Sequence, residues 1–256
     1  MSNELKTKGV NKIVVSIVTQ VVVRKDDPDF QNPTKFIGPP YTKEEAFERK
    51  EKNGWKIKLY KKDEVGNEIW RRVVPSPEPI DIVEIALIEA ALEKNAIPIT
   101  VGGGGIPVVE VHPDEKGVYD CNYGIKFQNG KGIKIYSGVE AVIDKDLASA
   151  LLGTMLIKRY KERGEDVEVT LTIFTAEDGA KLNYQKPNQQ DLRLITLEEA
   201  KKYYEEGHFP SGSMGPKIKA IINFLENGGE KAYISLTTKY EQTLKGEAGT
   251  TIVKSA

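Results

Sequence analysis

The first long apolar stretch, residues 13–23 (IVVSIVTQVVV), is β-branched almost throughout and lacks strict alternation. A strand covered on both faces reads this way, so the pattern predicts one strand central to a sheet. Over residues 80–95, Ile, Val, Ala and Leu cover well over one face of a helical repeat, which predicts a helix packed on a sheet, with a buried strand after it at 97–101. Strand, helix and strand in this order predict a right-handed crossover and hence a mainly parallel α/β sheet. Downstream, the pattern predicts a helix over 147–163 closed by Gly164, then a strand over 167–174 in which Glu168, Thr170 and Thr172 leave one face polar. A capped helix runs from Thr196 to Gly207, and an amphipathic helix over 216–227, with Pro216 suited to its first position, ends at Gly228-Gly229. A last core strand is predicted at 232–236.

Two segments interrupt this rhythm. Residues 24–41 (RKDDPDFQNPTKFIGPPY) hold four prolines among mixed charges and predict an ordered but irregular loop. Thr42 with Glu45 forms a capping-box pattern, Asn53-Gly54 ends that helix, and strands at 55–61 and 69–74 flank the turn residues 63–67. Residues 24–74 are therefore expected to protrude as a small subdomain within a single domain spanning 1–256. The glycine-rich, aromatic stretch 111–138 reads as a surface insertion, with Asn129-Gly130 marking a hairpin between 124–128 and 132–136. The expected architecture is a three-layer αβα fold.

Composition narrows the partners. The 37 basic and 38 acidic residues among 256 cancel, so no global field draws the chain to nucleic acid or to a lipid surface. The apolar stretches are broken by polar residues and fall short of a membrane span. A single cysteine, Cys121, excludes an internal disulfide framework, and with no secretory leader pattern a reducing cytoplasm is expected.

Three segments carry candidate chemistry. Gly102, Gly103, Gly104 and Gly105 follow a buried strand, where bare backbone amides can approach an anion. Asp144-Lys145-Asp146 precedes an apolar helix and offers an ammonium group beside carboxylates that can hold lysines in place. Gly212-Ser213-Met214-Gly215-Pro216-Lys217 is a second glycine-rich entry into a helix. Each alone also reads as an ordinary turn, surface charge or helix start. His112, His208 and Cys121 are too dispersed for a zinc cluster or a Cys-His nucleophile, and no protein metal site is expected.

The segments VTQVVV (18–23), FQNPTKFIGPPY (30–41), WRRVVPSPEPIDIVE (70–84), GGGGIPVV (102–109), GVEAVIDKDLASALL (138–152), LNYQKPNQ (182–189) and EEGHFPSGSMGPK (205–217) occur in this order across nearly the whole chain. On these residues the chain resembles the carbamate kinases of the amino acid kinase superfamily. The resemblance implies reversible phosphoryl transfer between ATP and carbamate, usually run from ADP and carbamoyl phosphate to ATP, with Mg2+, often at the end of arginine breakdown. It implies a homodimer built through helices beside the sheet. Carried over by motif, Lys35, Lys145 and Lys217 hold phosphate or carbamoyl oxygens and Asp146 orients the lysines. Gly102 to Gly105 lie against the substrate, and Thr175, Asp178, Gly179 and Met214 border the nucleotide. Two departures stand out. The family's GGNA-type and GNGPQ-type loops have no counterpart, and MSNELKTKGVNK is similar to the helix that follows them, so an N-terminally incomplete fold is expected. TAEDGAKLNY replaces the family's TDVDGVYLNY, placing Glu177 and Lys181 where apolar or aromatic groups are usual. The alternative reading is a catalytically inactive homologue acting as a ligand-binding or dimerising protein.

Overall fold

The computed structural model describes residues 1–114, 117–121, 126–128, 134–210 and 212–255. Its helices are α1 (Ser2–Thr7), α2 (Lys43–Asn53), α3 (Ile85–Glu93), α4 (Lys145–Glu162), α5 (Leu197–Glu205), α6 (Met214–Glu226) and α7 (Tyr240–Leu244). The chain divides into two compact units, Met1–Thr19 with Ile82–Gly104 and Asp144–Ala256, and Gln20–Asp81 with Gly105–Ile143. The fold is α/β, with both parallel and antiparallel strand pairs.

In the first unit, a sheet in the order Thr170–Phe174, Lys231–Ser235, Thr250–Val253, Leu194–Thr196 carries the core. Its two outer pairs are parallel and its central pair antiparallel, so the sheet is mainly parallel as expected, with one antiparallel step. Thr170–Phe174 alternates as predicted, with Leu171 and Ile173 buried and Thr170 and Phe174 exposed. The strand Thr250–Val253 is not anticipated in the sequence because two of its four residues are threonines, yet Thr250, Thr251 and Ile252 are all buried. Ile218, Ile221, Phe224 and Leu225 of α6 are fully buried with Ile234 and Ile252, each such side chain contributing about 1.5–3 kcal/mol of transfer free energy. The helix begins at Met214, two residues earlier than expected, so Pro216 occupies its third position.

The strand predicted over 13–23 is two strands. Val14–Ser16 runs parallel to Ile97–Ile99 in the first unit, whereas Gln20–Val23 belongs to the second. Between them the buried Thr19 hydroxyl lies 3.0 Å from Ile17 O and 2.7 Å from the Thr100 hydroxyl, and accepts the Val101 N–H at 3.0 Å. A side chain that serves local backbone in this way displaces the ladder that periodicity alone predicts. Likewise the helix expected from residue 80 begins at Ile85, and Pro79–Ile82 is a strand. The prolines before it favour extended backbone, and a buried strand is as apolar as a buried helix. Glu89 on α3 is buried and pairs with Arg159 of α4 at 2.6 Å and with Arg163, which caps that helix, at 2.9 Å.

In the second unit, strands run in the order Ile135–Gly138, Ile106–Val111, Gln20–Val23, Pro79–Ile82, so Gln20–Val23 has a neighbour on each side, as expected of a central strand. A second sheet joins Lys35–Tyr41, Glu68–Val74 and Ile57–Lys62 antiparallel. α2 carries the predicted capping box, and its Gly54 stop adopts φ +67°. Lys35–Tyr41 corrects the loop expectation: its pairing shifts register between Ile37 and Tyr41, which accommodates Gly38, Pro39 and Pro40 in a strand. The segment before it is pinned by carboxylates, Asp27 accepting from Asp29 N and Glu78 N, and Asp29 from Thr34 Oγ1 and Ser76 N. The Asn129-Gly130 turn lies outside the described residues. Lys126–Gln128 pairs with Val118–Asp120 and Ile135–Gly138 with Ile106–Val111, so the described strands do not form the predicted hairpin. Among the described residues no helix is long and apolar enough to cross a membrane.

Candidate active site

Asp144 caps α4, its Oδ1 accepting the N–H groups of Asp146 at 2.9 Å and Leu147 at 3.3 Å. The cap fixes Lys145 and Asp146 in the first turn, where unpaired N–H groups favour a carboxylate. Asp146 Oδ2 accepts from Lys217 Nζ at 2.8 Å, and Oδ1 lies 3.8 Å from Lys145 Nζ. The Asp146 and Lys217 side chains are only 8% and 14% exposed, whereas that of Lys145 is 63% exposed. One carboxylate thus anchors the Lys217 ammonium group and lies within ion-pair distance of Lys145, and the trio carries a formal net positive charge.

Lys217 belongs to α6, whose start also builds a pocket. Ser213 and Met214 line a cavity of about 260 Å³ with Thr175, Ala176, Glu177, Gly179, Lys181, Tyr184, Phe209 and Pro210. Lys217 follows Met214 by three positions, roughly 4.5 Å along the helix axis. Inside the pocket Tyr184 donates its hydroxyl to Glu177 Oε1 at 2.8 Å, and that bond holds the phenol above its ordinary pKa. Lys181 Nζ donates to Asp191 Oδ1 at 2.6 Å.

The loop that supplies Thr175 to Gly179 is held from below. Asp178 accepts from Gly249 N at 2.8 Å and Lys239 Nζ at 3.1 Å, with Arg193 at 3.4 Å. Burial raises its pKa, but these hydrogen bonds and charges outweigh it and hold the carboxyl below its ordinary value. Gly179 adopts φ +80°, and a Cβ there would stand 2.5 Å from Thr250 Oγ1, so only glycine fits. Ala180 N donates to that same hydroxyl at 2.7 Å, which in turn donates to Leu192 O.

No family model matches the chain. Carbamate kinase of Thermococcus kodakarensis is 42% identical over 253 residues, which cover 98% of this chain and 69% of that protein. The chain belongs to the carbamate kinase family. The carbamate kinase of Clostridium perfringens is 42% identical over 252 residues, covering 98% and 69%. Among solved structures, the carbamate kinase from Giardia lamblia bound to AMP-PNP is 35% identical with a TM-score of 0.73, covering 99% of this chain and 69% of that one.

Within this carbamate kinase family member, the site residues expected from sequence fall into four groups. Lys145, Asp146 and Lys217 come together, although the last lies 71 positions from the carboxylate it bonds. Thr175, Gly179 and Met214 line one pocket, while Asp178 supports the loop and is not among the lining residues. Gly102, Gly103 and Gly104 form a single turn packed against α4, with φ +68° at Gly103 and +109° at Gly104. Gly105, at φ +82°, and Lys35, which opens the strand Lys35–Tyr41, belong to the second unit. Sequence reasoning did not single out Tyr184, Phe209 or Pro210 as site residues. Their signal was present in LNYQ and in the FPSG stretch before the second glycine-rich loop, where aromatic groups flank flexible backbone.

Proposed function

We propose that the chain catalyses reversible phosphoryl transfer between ATP and carbamate, run from ADP and carbamoyl phosphate toward ATP. The observation that carries this reading is the Asp146 carboxylate with Lys145 and Lys217 on its two oxygens, one helical turn beyond the pocket at the start of α6. Catalysis of phosphoryl transfer consists of positioning and of charge stabilisation in the transition state. In this reading an ADP β-phosphate oxygen attacks the phosphorus of carbamoyl phosphate. The new P–O bond forms as the bond to the carbamate oxygen breaks, and carbamate departs. Lys145 and Lys217 neutralise charge on the migrating group, and Asp146 keeps both ammonium groups in place. Gly102 to Gly104 supply bare amides for the carbamoyl end. Thr175, Gly179 and Met214 border the nucleotide, with Asp178 bracing that border. AMP-PNP, which the Giardia lamblia relative is described as binding, is an adenine nucleotide, and this supports the pocket assignment.

Among the described residues no three His, Cys, Asp or Glu side chains cluster as a metal cage. Mg2+ needs none when it arrives on nucleotide phosphates with its own waters, and that is how it enters this proposal. We place the enzyme in the cytoplasm as a homodimer.

The test is ATP formation from ADP and carbamoyl phosphate by the purified chain. Lys145→Ala and Lys217→Ala should each lower kcat by roughly 10²–10³-fold, as for removal of a transition-state donor. A wild-type rate no higher than that of the variants would reject the reading.

A further inference from the structure

We infer that Glu177 is a specificity-determining residue of the pocket, selecting a purine nucleotide with a 6-amino group over one with a 6-oxo group. The inference rests on the proposed nucleotide-binding role of this cavity and adds a chemical reason for the choice of base.

The cavity has the size and walls for a base. Its volume of about 260 Å³ is close to the roughly 300 Å³ lower bound of small-ligand pockets. Ala176, Phe209, Pro210 and Met214 give it apolar sides, and the Tyr184 ring adds a flat one. Specificity then falls to the few polar groups. Thr175 and Ser213 carry hydroxyls, which donate or accept as needed and so discriminate little. Lys181 only donates, and its ammonium group is already bonded to Asp191 at 2.6 Å. Glu177 is the one lining side chain that only accepts.

Glu177 is also held in place. Oε1 takes the Tyr184 hydroxyl at 2.8 Å, and no other donor among the described residues reaches the carboxylate. Spare lone pairs therefore sit beside the ring against which a base would lie. A 6-amino group offers these lone pairs an N–H, whereas a 6-oxo group opposes them with lone pairs of its own. A site built around one polar partner rejects the wrong one more strongly than an apolar pocket can. Tyr184 acts as a positioning residue, because its hydroxyl fixes where the carboxylate stands. The carboxylate sits at the edge of an aromatic wall, which argues for contact with the base instead of the ribose.

Calorimetric titration of the full chain with ADP, IDP and 2′-deoxy-ADP tests this. Wild type should bind ADP roughly 10–100-fold more tightly than IDP, the range of a lost charge-assisted hydrogen bond. In Glu177→Gln the amide can also donate to a 6-oxo group, so the ratio should fall to within about three-fold. Glu177→Val should erase the ratio too, and it carries the comparison if the glutamine variant does not fold by circular dichroism. Tyr184→Phe should keep a smaller preference of the same sign, which a purely structural role for Tyr184 would leave unchanged. A preference that survives both Glu177 substitutions, a wild type that does not discriminate, or a loss that follows the 2′-hydroxyl would each overturn the inference while leaving nucleotide binding intact. A wild type that takes up no nucleotide would overturn the kinase reading with it.

Discussion

Asp178 shows how much a single carboxylate contributes without touching the pocket. Its partners Gly249 N, Lys239 and Arg193 hold its folded pKa below the ordinary value. A depressed carboxylate contributes stability above its unfolded pKa, near 3.9, and loses it as pH falls through the folded value. At pH 7, Asp178→Asn should cost about 1.5–3 kcal/mol in urea unfolding, the range for a hydrogen bond to a charged group. The gap to wild type should narrow as the pH is lowered from about 5 to 3. A gap constant across that window would show that the charge is irrelevant. At this scale the site was legible only in parts. Lys145-Asp146 announces itself as charge at a helix start, and Lys217 as a cation after glycines. Their shared carboxylate is a tertiary fact, which no local spacing encodes.

Among the elements, α4 and α6 meet where Gly153 faces Phe224. A Cβ at position 153 would lie 2.8 Å from Phe224 Cε2, and the ring, fully buried, also blocks a Cβ at Gly229. Helix propensity favours Gly153→Ala by about 1 kcal/mol. Overpacking costs about 1–3 kcal/mol and should win, because the ring is confined on both sides. The urea midpoint is therefore expected to fall, and Phe224→Leu in the same chain should recover part of the loss. A raised midpoint would mean that the two helices part easily. Helices were the more readable elements: the capping box predicted at Thr42 is present, and the capped start predicted at Thr196 carries a box as well. Short strands were not, because Thr19 breaks one apolar run with its hydroxyl and Thr250–Val253 hides a buried strand behind polar residue names.

For the whole molecule, the proposed homodimer has a physical correlate in α3, which buries Ile85, Ile88 and Glu89 on one side and leaves Leu87 57% and Leu92 37% exposed. Sedimentation at micromolar concentration should give a dimer, and Leu87→Glu should shift it toward monomer. A wild type that sediments only as monomer would remove the dimer from the proposal. The α/β class was legible because apolar runs alternate with capped helices along the chain. The division into two units was not, since its boundary falls inside a continuous valine-rich run at Thr19 and Gln20. The hydroxyl of Thr250 is a reminder that chain order and working order differ. It grips the backbone of Ala180, 70 positions upstream, so the wall of the pocket hangs from the strand Thr250–Val253. A substitution made in that strand thereby reshapes the pocket from a distance.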